Sequence, residues 1–156
     1  MDEQPRRVPV LDLICPPQTD MLRLIRSVVA TVSQELGFSA EEAGLIELAV
    51  DEACTNVIVH AYGEMDEARK AESVLRVQIR AASDRLAIQV IDTGSGLPEG
   101  RRGVDSLEEY TARPRPSGLG SFIITHFMDE VAYDSPEGSG SGTVLSMVKY
   151  LRPAYG

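Results

Sequence analysis

Glu52 and Asn56 stand four residues apart in a run otherwise rich in Ala, Val, Ile and Leu. Side chains at i and i+4 project side by side from a helix, so this carboxylate and carboxamide can share a bound ion, water or ligand. A solvated helix face is the simpler alternative. His60 continues the same line. Further on comes Asp92-Thr93-Gly94-Ser95-Gly96. Glycines there let the backbone turn sharply and approach a flat ligand with no Cβ in the way. Asp92 beside them can accept a hydrogen bond from an exocyclic amine. Finally, Ser117-Gly118-Leu119-Gly120-Ser121 precedes an apolar run. Glycines at a helix start expose backbone N–H groups and the positive dipole end, which suits an anion such as phosphate. Each signal alone is weak, because glycine turns follow many strands.

The elements that must position these residues can be traced along the chain. Residues 8–15 alternate as a short strand, ended by Pro16-Pro17. Leu22, Ile25, Val29, Val32 and Leu36 mark a helix over 18–36 that stops at Gly37. The run SAEEAGLIELAVDEACTNVIVHAYG, residues 39–63, opens on a Ser39–Glu42 capping box and carries Ala43, Ile46, Val50, Ala53 and Val57 on one apolar face. GEMDEARKAES reads as a charged, exposed connection. Residues 75–81 and 86–91 form a hairpin turned by Ser83-Asp84-Arg85, and two apolar faces mark the second strand as central. A polar stretch over 98–116 contains Arg101, Arg102, Arg113 and Arg115. These can meet phosphates or balance an acidic surface. An apolar helix over 122–128 and strands over 130–134 and 143–151 complete the chain, with His126 a packed helix residue. The order predicts an α/β (α+β) two-layer sandwich, a mixed, mainly antiparallel sheet with helices on one face.

Composition narrows the function classes. The 156 residues suffice for one domain with one substantial core. A net charge of −9 disfavours nonspecific binding to nucleic acid or anionic membrane. No apolar run has the length of a signal segment or membrane span, so a cytoplasmic setting is expected. Cys15 and Cys54 lack CxxC spacing and read as reduced, buried small hydrophobes, with a disulfide between them the alternative.

In order, Glu52-xxx-Asn56, Asp92-x-Gly94-x-Gly96, Gly118-x-Gly120 and Gly142-Thr143 resemble the N, G1 and G2 boxes and the closing Gly-Thr of the GHKL (Bergerat-fold) ATPases. Within that superfamily the chain is similar to the small anti-sigma-factor serine/threonine kinases of bacterial partner switching. AVDEACTNVIVHAYG is close to their N box and GLGSFIITHFMDEV to their G2 helix. The resemblance runs from the first strand to the last. It implies a single histidine-kinase-like ATPase domain over 1–156 with an ATP lid at 97–117. It also implies that Asn56 holds Mg²⁺ bridging the ATP phosphates and that Glu52 is the general base toward a serine hydroxyl of a protein substrate. Asp92 would bind the adenine amino group, supported by Thr143 through a water. Gly94 and Gly96 would shape the base pocket. Gly118 and Gly120 would cradle the phosphates, with Leu119 and Ser121 also among the nucleotide-binding residues. Asp51 would be either a second contact near the nucleotide or a surface residue, and His60 a hydrogen-bonded structural histidine. Some relatives carry an arginine directly before the G2 Ser-Gly-x-Gly; here Pro116 holds that place, leaving Arg115 or Arg113 for the phosphate contact.

The implied partners are a STAS-domain anti-anti-sigma protein as substrate and a sigma factor, and the implied assembly is a homodimer. Two alternatives stand beside this kinase: a nucleotide-binding partner switch without effective phosphotransfer, and a switch kinase of another pathway such as secretion or stressosome signalling.

Overall fold

A computed structural model describes residues 10–62, 65–94, 119–136 and 142–153 of the chain. Strand β1 (Val10–Cys15) leads into helices α1 (Asp20–Leu36) and α2 (Ala40–Asn56), and a π-helical turn spans Val57–Ala61. Helix α3 (Glu67–Glu72), strands β2 (Leu75–Ala81) and β3 (Arg85–Asp92), helix α4 (Leu119–His126), and strands β4 (Glu130–Asp134) and β5 (Thr143–Tyr150) follow. The five strands form one sheet in the order β1-β2-β3-β5-β4, with β3 central as its apolar run predicts. All four pairings are antiparallel, so the mixed sheet expected from the sequence gives way to a wholly antiparallel one among the described strands. The crossover through α1–α3 delivers β2 reversed beside β1, whereas α4 delivers β4 in the same direction as β3, and β5 then inserts antiparallel between the two.

Alternation decides what faces inward. Leu75, Val77 and Ile79 of β2, Leu86, Ile88 and Val90 of β3, and Leu145 and Met147 of β5 are buried against the helices. Ile25 and Val29 of α1 and Ile46, Ala49, Val50 and Ala53 of α2 meet them in the same core. Full burial of a side chain the size of Ile46 or Val50 contributes about 1.5–3 kcal/mol. Residues of β3 between the core positions, Ala87, Gln89 and Ile91, are only half-buried. The central strand is therefore covered by helices on one side.

The helix ends follow from local chemistry. Gly37 adopts φ 113° and its N–H reaches the Gln34 and Ser33 carbonyls, closing α1. At the start of α2 the Ser39 hydroxyl accepts the Glu42 N–H at 3.1 Å, while the Glu42 carboxylate accepts the Ser39 N–H at 2.9 Å. The expected capping box is formed. α2 departs from expectation at its other end, because the regular helix stops at Asn56 and the wider turn takes over, closed by Tyr62 N–H donating to the Val57 carbonyl at 3.3 Å. α3 occupies what the sequence presents as a charged connection. It buries no residue, and the Asp66 side chain caps it through the Arg69 N–H at 2.8 Å. Capping without apolar periodicity leaves little trace in sequence. No helix among the described residues is long and apolar enough to cross a membrane.

Candidate nucleotide-binding site

Glu52 and Asn56 lie half-buried on the last turns of α2, whose inner face is anchored by buried Ala53 and Cys54. Helix α4 packs against this end of α2. A Cβ built on Gly120 would stand 2.5 Å from the Glu52 Cβ and 2.8 Å from its Oε2, well inside van der Waals contact. Only glycine lets the first turn of α4 come this close to Glu52. The junction after α4 is held from behind. The Lys149 ammonium of β5 donates to the Phe127 carbonyl at 2.8 Å and pairs with Asp129 at 3.4 Å. Asp129 also accepts the Tyr150 N–H at 2.8 Å. These bonds fix where α4 ends, and through it where Gly120 meets Glu52.

Asp92 closes β3 and is 3% exposed. Its Oδ1 accepts the Gly94 N–H at 2.8 Å, folding the turn back over the strand end. Burial pushes its carboxyl above the ordinary aspartate range, against the pull of the Gly94 and Thr143 backbone N–H groups. Thr143 stands opposite Asp92 in the β3–β5 register. Gly142 before it has φ 103°, and a Cβ there would strike the Asp92 carbonyl oxygen. A side chain at position 142 is excluded twice, by backbone angle and by space. The Gly-Thr pair and Asp92 thus meet at one end of the sheet.

Asp92, Thr143 and Gly142 are brought together at that end, and Glu52 and Gly120 at the α2–α4 seam, with Asn56 one turn along α2 from Glu52. Gly94 sits in the Asp92 turn. Leu119, Gly120 and Ser121 form the first turn of α4. Gly96, Gly118, Arg115, Pro116 and the expected lid lie outside the described residues, as do the side chains of Leu119, Ser121 and His60. Asp51 turns toward α1, its Oδ1 buried 3.7 Å from the Arg26 Nε and without a hydrogen bond among the described residues. Cys54 is buried and Cys15 half-buried, both free thiols. Burial foremost, then the Asp51 charge, raises the Cys54 thiol. His126 is not packed inside as its apolar surroundings suggest; it is exposed and stacks on Phe122 of its own helix, ring centroids 3.9 Å apart.

Sequence reasoning missed Tyr62. Its ring is buried, and its hydroxyl reaches Thr93, the residue between Asp92 and Gly94. The one available signal was a tyrosine directly after an apolar helix, since a buried phenol needs a polar partner.

Over residues 15–149 the chain matches the model of the histidine kinase-like ATPase domain. An anti-sigma F factor of Pasteuria penetrans is 36% identical over 129 residues, covering 81% of each chain. A serine-protein kinase RsbW of Halalkalibacterium halodurans is 28% identical over 153 residues, covering 91% of this chain and 83% of its own. The crystal structure of the RsbU and RsbW domains of a Mycobacterium tuberculosis protein superposes with a TM-score of 0.61 at 16% identity, a likeness of fold. It covers 94% of this chain, which spans about a third (34%) of that protein. The domain match takes in most of the sequence, and the two named relatives align along four fifths or more of their length. The chain therefore belongs to the histidine kinase-like ATPase domain family, in the branch of the anti-sigma F factors and RsbW serine-protein kinases.

Proposed function

We propose that this chain is a protein serine/threonine kinase using Mg-ATP, which phosphorylates a serine of a STAS-domain anti-anti-sigma protein and binds and inhibits a sigma factor. The names of its relatives, anti-sigma F factor and serine-protein kinase, support both halves of the activity. The family resemblance adds the expectation of a homodimer in the cytoplasm. The observation that carries the catalytic half is Glu52 at the α2–α4 seam, one turn from Asn56 and in contact with Gly120. A site that held nucleotide only as a structural ligand would have no use for a carboxylate base there.

The residues fit the ligand. A carboxylate has about four acceptor positions. The Gly94 and Thr143 N–H groups engage Asp92 and leave capacity for an exocyclic amine. Asn56 offers a neutral oxygen of the hard type that Mg²⁺ takes. The glycines at 120 and 142 keep Cβ atoms away from Glu52 and Asp92. Bound Mg-ATP supplies the phosphoryl group and the cation charge that steadies it. For its part, Asp92 orients the base, Thr143 supports Asp92, and Asn56 holds the metal. Glu52 would hydrogen-bond the attacking serine hydroxyl and take its proton as the phosphoryl group passes from ATP to the serine oxygen, the bond to the departing ADP breaking as the new one forms.

Phosphotransfer from Mg-ATP to purified STAS proteins tests the proposal. Label is expected on a serine of the STAS protein. Glu52→Gln should bind ATP unchanged and transfer about 10²–10⁴-fold more slowly. Transfer by Glu52→Gln at the wild-type rate would remove the base assignment. A wild-type chain that binds Mg-ATP but labels no STAS protein would favour the partner switch without kinase activity.

A further inference from the structure

We infer that Tyr62 is a positioning residue of the nucleotide site: its buried hydroxyl ties the end of the π-helical turn to Thr93 and so holds the Asp92–Gly94 turn in binding geometry. This rests on the nucleotide reading of the site given above.

Three bonds meet at one oxygen. The Thr93 N–H donates to Tyr62 Oη at 2.7 Å, and the Tyr62 hydroxyl donates to the Val74 carbonyl at 2.8 Å. With the only phenolic hydrogen used on Val74, the Thr93 hydroxyl, 3.1 Å away, is the donor of the third bond. The junction joins three segments distant in sequence: the turn after α2, the residue before β2, and the residue after β3. Thr93 itself is exposed and ends the ladder, so no strand neighbour holds it. Its N–H would otherwise face water, and the turn would be held only through the Asp92 carboxylate, by the Gly94 and Thr143 N–H groups.

Packing does not pin the ring on every side. A cavity of about 360 Å³, lined by Tyr62 with Pro17, Ile58, Lys70 and others, opens beside it. The ring itself is buried, and the hydroxyl bonds set where its polar end is held. The π-helical turn supplies the reach. Its closing bond runs from the Tyr62 N–H to the Val57 carbonyl, directly after Asn56. Widened helical turns of this kind commonly occur at functional sites. Through Tyr62, the end of α2 that carries Asn56 is fastened to the turn that carries Asp92.

Tyr62→Phe removes the oxygen and keeps the ring. Two measurements on the full chain test the inference. The first is hydrogen exchange at the Thr93 amide without nucleotide. Thr93 is exposed, so slow exchange there reports its bond to Tyr62; we expect protection in the wild type and its loss in Tyr62→Phe. The second is calorimetric binding of ATP and GTP at a temperature where both proteins are folded. Tyr62→Phe should bind ATP about tenfold more weakly and discriminate less against GTP, with turnover at saturating ATP within about twofold of wild type. A merely structural tyrosine would lower the melting temperature and leave affinity and selectivity unchanged; that result overturns the inference. Free-peptide exchange at Thr93 in the wild type overturns it without any variant. A wild-type chain that binds no nucleotide overturns the site reading and this inference together, whereas full-affinity binding by Tyr62→Phe overturns only the role of Tyr62.

Discussion

Asp92 is the residue at which protonation would couple to the proposed nucleotide binding. Its carboxyl is buried at the end of β3, and burial raises its pKa above the ordinary aspartate range despite two backbone N–H groups. The folded state therefore favours the protonated form, a contribution to stability present at low pH and lost as pH rises through the folded value. Binding has the opposite sense. On the proposed reading an adenine amine would donate to the ionised carboxylate, so nucleotide binding would pull the pKa down and acidification would oppose binding. ATP affinity should thus fall on acidification, starting at a pH above that expected of an unperturbed aspartate. The slope should vanish in Asp92→Asn, whose affinity is lower at neutral pH; calorimetric titration across pH 4–7 reads both, and a slope that survives the substitution would place the proton elsewhere. The residue types at 52, 56 and 92 were legible from their spacing. The burial of Asp92 was not, because it depends on the strand that pairs beside it.

At the scale of elements, two glycines inside helices make opposite predictions. Gly120 in α4 abuts the Glu52 side chain, whereas a Cβ at Gly44 in α2 would meet nothing within 4 Å. Gly44→Ala should stabilise the protein by about 0.5–1 kcal/mol, through helix propensity and a less flexible unfolded chain. Gly120→Ala should destabilise it by about 1–3 kcal/mol through overpacking, and should slow phosphotransfer because Glu52 must move. Urea denaturation of the two variants settles the signs; a stabilised Gly120→Ala would mean that α4 does not rest on Glu52. Both glycines stand in plain sight in the sequence, but nothing local separates a helix glycine facing open space from one at a helix–helix contact. The same limit explains α2. Its capping box was readable because it lies within four residues, while the π-helical turn after Asn56 was not.

For the whole molecule, the two clusters sit on elements far apart in sequence: α2 and α4 for Glu52, Asn56 and Gly120, and β3 and β5 for Asp92 and Thr143. A ligand that spans them binds only the folded chain, and so must stabilise it. At a hundredfold excess over its dissociation constant the gain is about 2.7 kcal/mol, which for a chain of this size raises Tm by about 5–10 °C. Thermal unfolding with Mg-ATP, with ATP plus a chelator, and with Mg²⁺ alone should show the full shift only in the first case. An equal shift with the chelator would remove the metal from the role assigned to Asn56.

The sequence by itself determined what acts over a few residues. Apolar spacing set the existence of helices α1 and α2, though not where α2 ends, strand alternation set which residues face the core, and Ser39 with Glu42 set where α2 begins. It also determined the ordered motifs that mark the family. Tertiary structure alone decided which ends meet: Gly120 against Glu52, Thr143 opposite Asp92, Tyr62 on Thr93, and Asp51 toward Arg26. It also made the sheet wholly antiparallel among the described strands and turned His126 outward. The reason is one of range. Propensity, capping and periodicity act across a turn or two of chain, whereas contacts between residues 25 to 68 positions apart are chosen by packing and strand pairing of the whole fold.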